Sequence, residues 1–509
     1  MRSLETVTPD AKSDETLIPR EIEVVFTGDD GHIYISEGDG RWSRRLTWSI
    51  EDFSTLPGLP PMPGVCGTLE DGLVFTNPIS SRNGERVAVF GLLPTLLEDR
   101  ELYPWEPWME DEPFEDEEWE VVEAQESEET EKRDIIGRGM VLVVYNDEND
   151  EETEVETVEE AEDDPQDLPV YWPGSKVYVL HRDGVRVWEP WSKDEGTAIH
   201  LEWAPDDEHL MVLHQDGDLM HLDLVPYTGQ GEDIRIASGA PLFWAWQPGG
   251  RCLAVRTDHP EDNQALLHLC APLDNMESQL IGPAGSFYSP AWHPDGKALA
   301  YGRRGEREDT LALVDARGKP LRDLFTYPGR AAFHWMPQGG QLAVAMAPEG
   351  HGPFQALELV ELDGSSRTLW KGAFICFQWL SDGSGFLICE SDLAQGHLHW
   401  LRLRLDGTTQ PLGIPFVPTR ETAVALHFFE QVAPGQPFLS ADERFLTYAG
   451  YPLEPATALA DQSPGSEDLG LEPEDQRCRI LITPLHNSET VAVGDGRYGC
   501  FPARWSARR

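Results

Sequence analysis

Residues 289–302 read SPAWHPDGKALAYG, and this stretch decides the fold. An apolar run ends in Trp292, Pro294 blocks its continuation, and Asp295-Gly296 supplies the positive φ of a tight turn before a second apolar run begins. The same phrase recurs as HLEWAPDDEHLMVL (200–213), FWAWQPGGRCLAV (243–255), AFHWMPQGGQLAVAM (332–346) and CFQWLSDGSGFLIC (376–389). Its anchors Trp203, Trp246, Trp292, Trp335 and Trp379 are spaced 43, 46, 43 and 44 residues apart. That period is the length of one four-stranded propeller blade, about 40 to 45 residues.

Working outward, each hairpin is followed by two further strand-like runs, such as ALLHLC (265–270) and TLALVDARG (310–318). Each unit is therefore an antiparallel meander, which buries both its faces only when packed between neighbours. Upstream, NPISSRNGERVAVFG (77–91) places Ser80 at the anchor position. Downstream, PFLSADERFLTYAG (437–450) places Phe438 there, with RCRILITPL (477–485) as a later strand and 451–477 as a loop insertion. The carboxyl end offers a last anchor, Trp505, while residues 22–48 read as the outer three strands of a blade lacking its first. Pairing of the two ends completes that blade. The expectation is an all-β chain: one propeller over 22–509 behind a flexible tail (1–21), with eight blades by anchor count, or seven if 80–200 form none.

The phrase SPAWHPDGKALAYG resembles the repeat of TolB-like propellers, relatives of the WD repeat. The resemblance covers most of the chain outside its insertions and implies the fold; propellers host many unrelated activities. The sequence departs from TolB itself in showing no signal peptide and no separate amino-terminal α/β region, so a periplasmic role is not carried over.

Against 39 Lys and Arg stand 91 Asp and Glu, a formal charge of -52 that opposes direct binding of nucleic acid or anionic lipid. No run of about 18 apolar residues occurs, so membrane insertion is not expected. A cytoplasmic location is. The seven cysteines lie apart, several within apolar runs such as FICF and FLICE, and read as reduced core residues.

Residues 98–168 hold 31 acidic and 4 basic side chains, about half the net charge of the chain. Tyr103, Trp105, Trp108, Phe114 and Trp119 alternate with Glu and Asp in the first half. Such rings pack on the propeller or dock into a basic, apolar groove of another protein. IIGRGMVLVVY (135–145) is long enough for one buried strand; the acidic stretch after it reads as a solvated loop, partly disordered.

No nucleophile elbow, Walker loop, dinucleotide fingerprint, zincin helix or calcium loop is present. His293 and His334 flank anchors and read as hydrogen-bonded strand histidines. No catalytic, cofactor-binding or metal-binding residue is named, and no cofactor is expected. Alternation alone assigns Glu202, Ala245, Ala291, His334 and Gln378 to innermost strands. The expected function is a non-catalytic protein–protein interaction scaffold that engages one or more proteins, including ones with a basic surface. The alternative is an enzyme or small-ligand receptor with its site in the central channel.

Overall fold

A computed structural model describes residues 22–47, 73–92, 173–453, 457–458 and 477–501, apart from short gaps. The chain divides into two compact units, Met1–Leu93 with Pro173–Arg509, and Pro94–Trp172. The second lies outside the described residues, together with the tail 1–21, the five candidate docking aromatics, the expected strand 135–145, Cys66 and Trp505.

The first unit is almost entirely β, in four-stranded antiparallel meanders. The first four are separate sheets, beginning at Val74–Ser80, Thr197–Trp203, Leu242–Trp246 and Ala291–Trp292. Beyond Arg330 the sheets share strands. Ser366–Trp379 pairs through 366–374 with Phe354–Glu361 and through 374–379 with Gly385–Asp392. Val491–Cys500 pairs through 491–495 with Arg479–Pro484 and through 496–500 with Glu23–Gly28. The two ends of the described chain are thus hydrogen-bonded neighbours. Ile33–Glu37 and Ser43–Arg45 follow as the outer strands, as the sequence predicts.

The repeated phrase has one geometry. The anchor faces the residue seven positions on, as in Trp203 with Leu210 and Trp246 with Leu253, and a positive-φ residue stands four beyond it, as at Asp207, Gly250, Gly296, Gly339 and Gly383. Ser80 obeys the pattern, facing Val87 with Gly84 in the turn. Phe438 does not. Leu439 bridges Leu446, and Glu443 takes the positive φ, so Leu439 is the anchor of that sheet. Aromatic identity misleads here because register and turn geometry, not ring chemistry, define the position. Phe438 is buried beside Trp400 instead, at 6.1 Å between ring centroids. Tyr451 and Pro452 belong to the strand Phe445–Pro452, and Thr457–Ala458 pair with Val491–Ala492, so these parts of the expected loop 451–477 are strand; most of the rest lies outside the described residues.

Most of the anchors also lock successive sheets together. Trp203 Nε1 donates to Ile79 O (3.2 Å), Trp292 to Ala245 O (3.0 Å), Trp335 to Ala291 O (3.0 Å) and Trp379 to His334 O (3.2 Å). In each case the acceptor is the residue before the preceding sheet's anchor. Burying such a ring contributes about 2 to 3 kcal/mol, and its bond to a strand carbonyl fixes the spacing between sheets. Most of the core clusters likewise join two consecutive sheets. One of them packs Val25, Ile33 and Ile35 against Phe75, Val89 and Tyr178, joining the amino-terminal strands to the sheet that begins at Val74. The six described cysteines are buried free thiols.

Candidate functional site

Among the described residues, α-helix interrupts the sheets after Thr409–Pro418. Pro418 ends the strand, and Thr419 caps α1 (Arg420–His427) by accepting from Thr422 N. α2 (Phe429–Val432) follows. Phe428, Phe429, Gln431 and Gln436 reach the first strands of sheet after sheet. Gln431 Oε1 accepts from Trp244 N (3.0 Å) and from the Ser289 hydroxyl (2.9 Å). Gln436 donates to Pro78 O (3.4 Å) and accepts from Tyr498 OH (2.9 Å). Phe429 lies against His334, Phe354 and Phe377, with centroids 5.3, 6.4 and 5.2 Å away; Phe428 lies 6.2 Å from Phe243. The place where the first strands converge is occupied by the chain's own residues.

Several titratable groups meet there. Burial holds His200 and His334 down to about 4, and burial with the nearby Arg330 charge does the same to His427. Burial pushes Glu202 up to about 7, against the hydrogen bond from Trp244 Nε1 (2.5 Å) and the Arg82 charge. Burial also raises Glu430 well above the usual range, and its carboxylate oxygens accept no hydrogen bond. The described residues contain no group of three or more His, Cys, Asp or Glu side chains that could hold a metal ion. Of the residues assigned to innermost strands, Glu202, Ala245, Ala291, His334 and Gln378 all lie on first strands, one before an anchor. His293 lies in the turn, bonded to Asp295 Oδ1 (2.6 Å) and Gly339 O (3.0 Å).

Glu202 yields a signed prediction. Its folded pKa exceeds the unfolded value of about 4.5, so its contribution is full below that value and is lost as pH rises through 7. Glu202→Gln keeps an acceptor for Trp244 without the charge. The variant should match the parent in urea unfolding near pH 5 and exceed it at pH 8, by on the order of 2 kcal/mol. An equal difference at both pH values would contradict the assignment.

A second group lies on the outer strands. A cleft of about 480 Å³ opens between Val187–Glu195, carrying Trp191 and Lys193, and the neighbouring sheet, carrying Asp223, Asp233 and Arg235. Asp223 is held by the fully buried His214 (Nε2 to Oδ2, 2.9 Å) and by Arg235, and these partners outweigh burial to keep its carboxyl below the ordinary range. His221 Nδ1 receives Arg235 Nη1 (2.6 Å) and lies 2.8 Å from Ser238 Oγ. Burial and the Arg235 charge lower its basicity. The acid pairs with His214 and not with His221, so this is no nucleophilic triad. It is a preorganised set of charges.

Of the axial group the sequence assigns Glu202 and His334 to innermost strands; the helices and the cleft were not named from sequence. The helices had a signal, Pro418-Thr419 before RETAVALHFFEQV, too short to register against the strand periodicity. The cleft had none, since its residues come from strands of two sheets.

No family model matches the chain, and no curated protein matches it. Solved structures similar to it include TolB from Acinetobacter baumannii, at 12% identity and TM-score 0.33, covering 63% of this chain and 79% of that one. The β-propeller domain of the Trilobed protease from Pyrococcus furiosus matches at 14% and 0.37, covering 59% and 86%. Oligogalacturonate lyase from Vibrio parahaemolyticus matches at 10% and 0.40, covering 62% and 83%.

Proposed function

We propose that this chain is a closed eight-bladed propeller acting in the cytoplasm as a non-catalytic scaffold for other proteins, with the acidic-aromatic stretch of 98–168 as the element that docks a basic partner. The count follows the meanders: five beginning at Val74, Thr197, Leu242, Ala291 and Arg330, a sixth beginning within Ser366–Trp379, a seventh running from Leu439 into Val491–Cys500, and an eighth that the end of Val491–Cys500 forms with Glu23–Gly28, Ile33–Glu37 and Ser43–Arg45. The pairing of Glu23–Gly28 with Val491–Cys500, and the ion pair of Arg182 with Glu23, support closure.

One observation carries the scaffold reading. The axis, where a propeller would hold a small ligand, is filled by α1, α2 and the residues after them, which leaves loops and rim for recognition. Acidic charge speeds encounter with a basic partner, and buried aromatic rings hold the complex. The buried His200 and Glu202, two residues apart on one first strand, favour a second reading, a small-ligand receptor, which requires the helical segment to withdraw.

Capture from native lysate distinguishes the two. Tagged full-length protein is compared with a form whose residues 98–168 are replaced by a short Gly-Ser linker. The scaffold reading expects a protein that co-purifies with the former and is lost with the latter. A small molecule retained by both forms, with no protein partner, would overturn it.

A further inference from the structure

The rim cleft is nearly balanced in charge, and the balance is uneven in detail. Lys193 Nζ lies 3.4 Å from Asp216 Oδ2. Arg235 is committed twice to Asp223 and once to His221. Asp223 is saturated by Arg235 and by His214, whose ring packs 5.1 Å from Trp191. Asp233 has no hydrogen bond or ion pair among the described residues. It stands beside Asp223, whose negative charge, after burial, raises its pKa. An exposed carboxylate at the lip of a cleft, beside a second carboxylate already paired with Arg235 and His214, is stabilised by a cation entering from solvent.

We infer that the cleft receives an arginine side chain of a partner protein, with Asp233 as the carboxylate that pairs with it. The inference rests on the scaffold reading, which supplies a partner with a basic surface. Arginine fits better than lysine. A guanidinium offers a planar fork that bonds a carboxylate bidentately, and it is more weakly hydrated than an ammonium. The fixed His214–Asp223–Arg235 array keeps the cleft's shape without depending on the ligand.

The test uses full-length protein and a minimal probe, N-acetyl-arginine amide, titrated by saturation-transfer NMR. Its neutral isostere N-acetyl-citrulline amide is the control. Binding of the arginine probe in the millimolar range is expected, with no saturation by the citrulline probe. Asp233→Asn should weaken binding by about tenfold or more, as loss of a charge-assisted pair does. Asp233→Glu should keep most of it. Asp233 is exposed and precedes the strand Ile234–Gly239, so both variants should unfold thermally within a few degrees of the parent. Equal binding of the two probes, no binding of the arginine probe, or unchanged affinity in Asp233→Asn overturns the inference. If the probe fails while lysate capture succeeds, the cleft assignment alone falls. If the probe binds and no protein is captured, the scaffold reading falls.

Discussion

Phe429→Ala should destabilise the protein by about 3 to 5 kcal/mol, as large-to-small changes at fully packed aromatic sites do. Phe429 is 2% exposed, and its ring fills the space among His334, Phe354 and Phe377, residues drawn from two consecutive sheets. Truncation leaves a cavity that these strands cannot close, because each is pinned by its own ladder. Gln431→Leu should add a smaller loss, about 1 to 3 kcal/mol, by leaving Trp244 N–H and the Ser289 hydroxyl without their acceptor. Urea unfolding checks both. A loss below 1 kcal/mol for Phe429→Ala would mean that the helical segment is lodged loosely and contributes little to the fold.

Removing residues 496–509 should be costlier than any single substitution, on the order of 5 kcal/mol or more from the burial of Tyr498 and Phe501 alone. Those side chains are 1% and 2% exposed, and Cys500 between them is fully buried. The deletion also strips the hydrogen-bonded partner from Val25–Gly28 and removes the Tyr498 bond to Gln436. Glu23–Gly28 becomes an open edge, which invites aggregation. A lower thermal midpoint and early cleavage within 22–47 under limited proteolysis are expected, with rescue by a synthetic peptide of residues 494–509. A truncated protein that melts with the parent and keeps 22–47 protected would show that the termini do not hold the fold closed.

The repeat was legible because one backbone problem is solved the same way each time. Trp203, Trp246, Trp292, Trp335 and Trp379 mark it by a residue type too large to occur there by accident, and Pro, Asp and Gly mark the turn. The amino-terminal strands were expected to pair with a carboxyl-terminal strand anchored at Trp505; their described partner is residues 496–500, and Trp505 lies outside the described residues. Where the marker residue changed, the reading slipped: Leu439 holds the register that Phe438 was expected to hold, because only the ladder distinguishes two adjacent apolar positions. The sharing of Ser366–Trp379 between two sheets leaves no trace in composition. α1 and α2 were missed because one helix of eight residues and one of four carry too few periods to compete with the strand pattern around them. The axial cluster and the rim cleft were out of reach, since each joins residues far apart in sequence, as His200 with Gln431 or Lys193 with Arg235, and such a juxtaposition exists only after folding.

Hydrogen exchange resolved to residues 420–436 tests the account most directly. If these residues are a permanent part of the axis, their protected amides should exchange only by global unfolding, at the rate of central strands such as Leu253–His259 and Gln341–Ala347. Exchange within seconds to minutes while those strands stay protected would show a segment that leaves the axis under native conditions. His200, Glu202 and Glu430 would then be open to a ligand, and the receptor reading would displace the scaffold.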